Sequence, residues 1–62
     1  MYFHVILKDK QTFDTIDYEY VTSAVVSGTN YVITYYDDAT LTTPHTGTHV
    51  FANYYIYVIP AE

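Results

Sequence analysis

The chain has 62 residues, with nine tyrosines, no cysteine, two lysines, no arginine and seven acids, for a formal charge of −5. That length bounds it to one domain spanning residues 1–62. The missing thiols exclude disulfides and thiolate metal sites, and the shortage of cations argues against direct nucleic-acid binding through phosphates.

Helix-forming residues are scarce, with four Ala and two Leu, while Val, Ile, Thr, Tyr and Phe fill about half the chain. β-branched and aromatic side chains lose rotamer freedom in helices and pack well on pleated sheets. The first predicted strand covers residues 2–8, with Phe3, Val5 and Leu7 on one face and Tyr2, His4 and Ile6 on the other. Lys8, Asp9, Lys10 and Gln11 read as a tight hairpin turn.

A second strand is predicted over residues 12–27. It places Ile16, Tyr18, Tyr20, Ala24 and Val26 on one face, and Phe13, Asp17, Glu19, Val21 and Val25 on the other. Sixteen residues is long for a strand, which predicts a bend or bulge near Thr22 and Ser23. The competing reading is a short helix over 17–27, started by Asp17 and ended by Gly28. Residues 27–30 form a turn, with Gly28 and Asn30 suited to positive φ.

The third strand covers residues 31–37, with Tyr31, Ile33 and Tyr35 opposite Val32, Thr34 and Tyr36. A polar loop runs from Asp37 through Pro44 and Gly47, with a short edge piece over residues 39–42. The last segment, residues 48–59, is apolar on both faces, with a kink at Asn53 and a stop at Pro60.

These segments predict an all-β fold: a small antiparallel meander of four to five strands, forming a small barrel or open sheet. A single sheet is one layer and a domain needs two. A chain this small also gains little net stability from its own core. Homo-oligomerisation, with a dimer favoured, is the expected way to complete it.

Residues 1–7 (Met-Tyr-Phe-His-Val-Ile-Leu) and, later, residues 36–40 (Tyr-Asp-Asp-Ala-Thr) together resemble the first strand and last hairpin loop of the immunoglobulin-binding domain of streptococcal protein G. The resemblance covers about a fifth of the chain. It implies an Ala- and Lys-rich helix between two hairpins, and residues 17–30 lack that composition. The family's third-strand tryptophan is also missing, so its function is not carried across.

Candidate chemistry is sparse. His45 and His49 lie four apart, and with His4 and an Asp could hold zinc or nickel. The spacing crosses Gly47 at a loop–strand junction, so solvated histidines are the preferred reading and no metal or other cofactor is assigned. Ser23 and Ser27 carry no nucleophile signature. Asp37 and Asp38 would point to opposite faces of a strand, and two isolated glycines cannot build a phosphate loop. No catalytic residue is assigned and no enzyme is expected.

Tyrosine combines a large apolar body with a polar tip and is enriched at protein interfaces. Tyr18, Tyr20, Tyr31, Tyr35, Tyr36, Phe51, Tyr54, Tyr55 and Tyr57 are therefore the candidate interface residues. The leading expectation is a non-enzymatic protein-binding protein, an inhibitor or adaptor such as a phage-encoded blocker of a host or defence factor. It would act as a homo-oligomer on a protein target. One alternative is a small-ligand or nucleotide binder with a tyrosine pocket at the oligomer interface; another is a structural piece of a virion or assembly. The longest apolar run, residues 54–60, is too short for a membrane span, and Met1 is followed by no basic n-region, so a cytoplasmic setting is expected.

Overall fold

The computed structural model describes residues 2–61. Five antiparallel strands form one open sheet: β1 (Phe3–Asp9), β2 (Thr15–Ser27), β3 (Asn30–Tyr36), β4 (Pro44–Val50) and β5 (Tyr54–Pro60). Their order across the sheet is β4-β3-β2-β1-β5. The first four strands are a meander. The fifth then pairs with β1 rather than with its sequence neighbour β4.

That order makes β4 and β5 the two edges, yet only the 3-10 turn Phe51–Asn53 joins them. Three residues reach about 10 Å, so the sheet must curl until its edges approach at this corner. The turn is tied on both sides: Phe51 N–H donates to the Thr29 carbonyl, and Lys10 N–H donates to the Asn53 carbonyl, each at 3.0 Å. Asn53 thus marks a break in the last apolar segment, as its position in the sequence predicts.

The curl lets one sheet act as both layers. Val5, Leu7, Val21 and Ile33 are fully buried between its halves, with Phe3, Ile16, Tyr18, Tyr31, Tyr35, Tyr54 and Ile56 packed around them. These four side chains are thus covered by residues of the same chain. The chain exposes 4063 Å², close to the roughly 4,100 Å² that area scaling gives for a compact 7.2 kDa monomer.

β2 is a strand throughout, so neither the helix alternative over 17–27 nor the helix implied by the protein G resemblance forms. Met1, part of that resemblance, lies outside the described residues. β2 carries two irregularities. Three steps on β2 (Tyr18 to Val21) match two on β1, and Tyr20 adopts φ +56°. Two steps from Val21 to Ser23 then match one on β3, which leaves Thr22 as the extra residue of a bulge at the expected place.

Each extra residue flips the alternation. Val21, predicted on the face of Asp17 and Glu19, is therefore turned into the core, and the second bulge restores the phase so that Ala24, though exposed, shares the face of Ile33 opposite it.

Two loops also differ from expectation. Lys8 and Asp9 belong to β1, and the chain reverses over residues 10–13, not 8–11. Asp9 explains the delay: its carboxylate accepts from Gln11 N–H at 2.8 Å and Thr12 N–H at 3.0 Å, closing the reversal after it. Residues 39–42 form no strand, whereas Pro44 and Gly47, expected in a loop, lie in β4. An edge strand tolerates both, since its outer side needs no ladder donors. Gly28 (φ +62°) opens a two-residue hairpin loop between Ser27 and Asn30, the position where a type II′ turn needs it. Among the described residues no helix is long and apolar enough to cross a membrane.

Candidate functional site

Strand pairing creates the most distinctive feature of the surface. β2 serves two neighbours: its first half pairs with β1, and its pairing with β3 begins only at Val21 opposite Tyr35. Residues 17–20 therefore run away from β3 and leave a fork. Asp17, Tyr18, Glu19 and Tyr20 line one side, and Tyr35, Tyr36 and Asp37 line the other, around a groove of about 400 Å³. The four tyrosines are half-buried and the three carboxylates are exposed. A smaller hollow of about 180 Å³ shares Glu19 and Tyr20 and is completed by Tyr2, Phe3, His4 and Ala61.

Tyr18 and Tyr35 of the fork belong to a run of tilted and edge-on ring contacts that continues beneath it. His45 packs on Tyr35 (5.4 Å between centroids), Tyr35 on Tyr18 (4.7 Å), Tyr18 on His49 (5.8 Å) and His49 on Tyr54 (5.4 Å). Tyr18 Oη and His49 Nε2 share a 2.6 Å hydrogen bond. Either the phenol donates to a bare Nε2, or an Nε2–H donates to the phenol oxygen. Burial, and then the neighbouring Tyr35 and Tyr54, push the Tyr18 phenol above its ordinary value of 10.0. It is therefore a neutral, fixed part of that run.

Asp37 and Asp17 each have a histidine nearby. His45 Nε2 lies 3.1 Å from Asp37 Oδ2, and His4 Nε2 lies 4.0 Å from Asp17 Oδ2. Among the described residues Glu19 has neither an ion-pair nor a hydrogen-bond partner.

The predicted interface residues divide into three groups. Tyr18, Tyr31, Tyr35 and Tyr54 pack against the core, and Phe51 meets Tyr31 edge-on at 6.0 Å. Tyr20 and Tyr36 line the fork. Tyr55 and Tyr57 stand on the outer face of β5, beside Lys8 and Ile6 of β1. The histidines do not converge. His45 and His49 share the inner face of β4 but are four residues apart, about 13 Å along a strand. His4 sits on the outer face of β1 opposite Ile59. No group of three possible metal ligands assembles among the described residues.

Asp17, Glu19 and Asp37 line the groove although the sequence reading assigned none of them to an interface. A signal was present: Asp17-Tyr18-Glu19-Tyr20 alternates acid and ring, and Tyr36-Asp37 repeats the pairing on the next strand. Compared with known proteins, the chain matches no family model, no curated protein and no solved structure.

Proposed function

We propose that this chain is a small non-enzymatic protein-binding module, an inhibitor or adaptor, that works as a homo-oligomer joined through β5. The observation that carries this reading is the character of that edge strand. It reads Tyr-Tyr-Ile-Tyr-Val-Ile-Pro, without one charge, and pairs on one side only. Tyr55, Tyr57, Val58 and Ile59 are each about half exposed (47–51%).

Protected edges carry lysine, early proline or a covering loop. β5 carries a proline only at its last position, so its free ladder groups and apolar side chains suit antiparallel pairing with another β5. The result is a two-fold dimer with one continuous sheet, in which both copies contribute the same patch.

The placement of polar groups supports a non-enzymatic role. Ser23 lies opposite Thr34 and Ser27 opposite Asn30, on the outer face, whereas His45 and His49 are opposite Tyr35 and Tyr31 on the inner face. Both serines are thus on the opposite side of the sheet from His45 and His49.

Sedimentation or native mass spectrometry across micromolar concentrations tests the assembly. A dimer is expected, converted to a folded monomer by Tyr57→Lys. A wild-type chain that stays monomeric at the highest concentration overturns the reading.

A further inference from the structure

We propose that the fork between β2 and β3 is a receptor for an arginine or lysine side chain on a basic segment of a protein partner. The inference rests on the protein-binding reading above but uses a different surface, and its chemistry is independent of β5.

Four half-buried tyrosine rings and three carboxylates meet there, with no lysine among the lining residues. Ring faces carry negative quadrupole charge and attract cations within about 6 Å. The carboxylates add three formal negative charges around the same space. An anionic occupant would be repelled, and an apolar one would take water from the carboxylates without replacing its hydrogen bonds. A side chain with a cationic tip and an apolar stem satisfies both walls. The volume, about 400 Å³, lies in the lower part of the range for small binding clefts, enough for a side chain and its backbone.

The two lysines are placed elsewhere. Lys8 Nζ lies 5.3 Å over Phe13 and Lys10 Nζ lies 5.1 Å over Tyr55. Glu19, whose carboxylate has no ion-pair or hydrogen-bond partner among the described residues, borders both hollows, as does Tyr20. Tyr20 also has the left-handed φ of +56°, a backbone state that disfavours a bulky residue and that glycine would adopt more readily. A tyrosine held there presents its ring between the two hollows.

The test is an amide-resolved NMR titration of the full chain with N-acetyl-arginine amide and N-acetyl-lysine amide, with N-acetyl-glutamate amide as control. Basic probes are expected to shift residues 17–20 and 35–37, more weakly as salt rises, and the acidic probe is not. Glu19→Gln should weaken the response about twofold. Tyr20→Gly, which relieves the backbone while removing the ring, should weaken it about two- to fivefold. Tyr57→Lys should leave it unchanged.

Equal shifts with the acidic probe, or shifts outside the fork, overturn the proposal. So do groove shifts that appear with protein concentration alone, which would make a second copy the occupant. Absence of any response in a chain that still dimerises defeats the groove and leaves the protein-binding reading standing. Absence of both defeats both.

Discussion

The Tyr18 ring lies against the backbone of Gly47, so close that a Cβ on Gly47 would stand 2.6 Å from Tyr18 Oη and 3.0 Å from its Cζ. One strand of the curled sheet thereby meets another across the interior, and the Tyr18 side of the fork rests on that contact.

Gly47→Ala tests it. In a strand, replacing glycine by alanine ordinarily stabilises by restricting the unfolded chain. Here the ring must move, so a loss of about 1–3 kcal/mol is expected, read as a lower urea midpoint. Tyr18→Phe removes the nearest atom. The double variant should therefore lose less than the two single losses combined. A midpoint that rises in Gly47→Ala would show that the ring swings clear.

Tyr20 offers a second reading of backbone against side chain. A left-handed conformation costs a non-glycine residue about 1–2 kcal/mol. The edge-on contact of its ring with Tyr2, at 5.0 Å, returns about 0.5–1.5 kcal/mol. Tyr20→Gly removes both, so its stability should stay within about 1 kcal/mol of the parent. Tyr20→Val keeps the strain and loses the ring, and should fall by about 1–3 kcal/mol. Equal losses in the two variants would refute the strain at this bulge.

Asp9 makes stability depend on acid pH. The backbone N–H groups of Thr12 and then Gln11 hold its carboxyl below the ordinary 3.8. Because the folded value is lower than the unfolded one, the stabilisation is present above the ordinary carboxylate range and lost as pH falls through the folded value. Asp9→Ala should lower the thermal midpoint at neutral pH, and the difference should vanish in strong acid. Asp38, lowered by the Thr40 hydroxyl and then the Thr40 N–H, should behave the same way. A difference that persists unchanged in strong acid would exclude the carboxylate as its source.

Tyr18 makes stability depend on alkaline pH with the opposite sign. Its phenol is raised in the folded state, so its contribution is complete below the unfolded value and lost as pH rises through the folded one. Ultraviolet titration should show a tyrosine that ionises later than a free phenol. In Tyr18→Phe that late step should disappear, and stability above about pH 10 should fall less steeply than in the parent. Identical alkaline profiles would contradict the burial of this hydroxyl.

Much of the strand content was legible because local alternation is a local property. Phe3, Val5 and Leu7 face the core as their spacing predicts, and so do Tyr31, Ile33 and Tyr35. β4 was not legible, since Pro44 and Gly47 resemble a loop unless one knows that the strand is an edge and that a ring covers the glycine. Val21 was misassigned because the extra residue at Tyr20 depends on β1, from which Val21 is separated by 18 positions at Phe3.

The candidate site divides in the same way. Its tyrosines stood out by composition, while its carboxylates became lining residues only through the fork.

By itself the sequence determined the β class, the absence of disulfides, the acidic character and the placement of tyrosine in strands. Those follow from side-chain shape and charge, which each residue carries wherever it lies. Only the tertiary structure decided that β5 returns to β1, that the sheet curls into its own second layer, and that Asp17, Glu19, Tyr20 and Asp37 share a groove. Those depend on ladder hydrogen bonds between distant segments, and a single inserted residue in one strand changes which side chains meet.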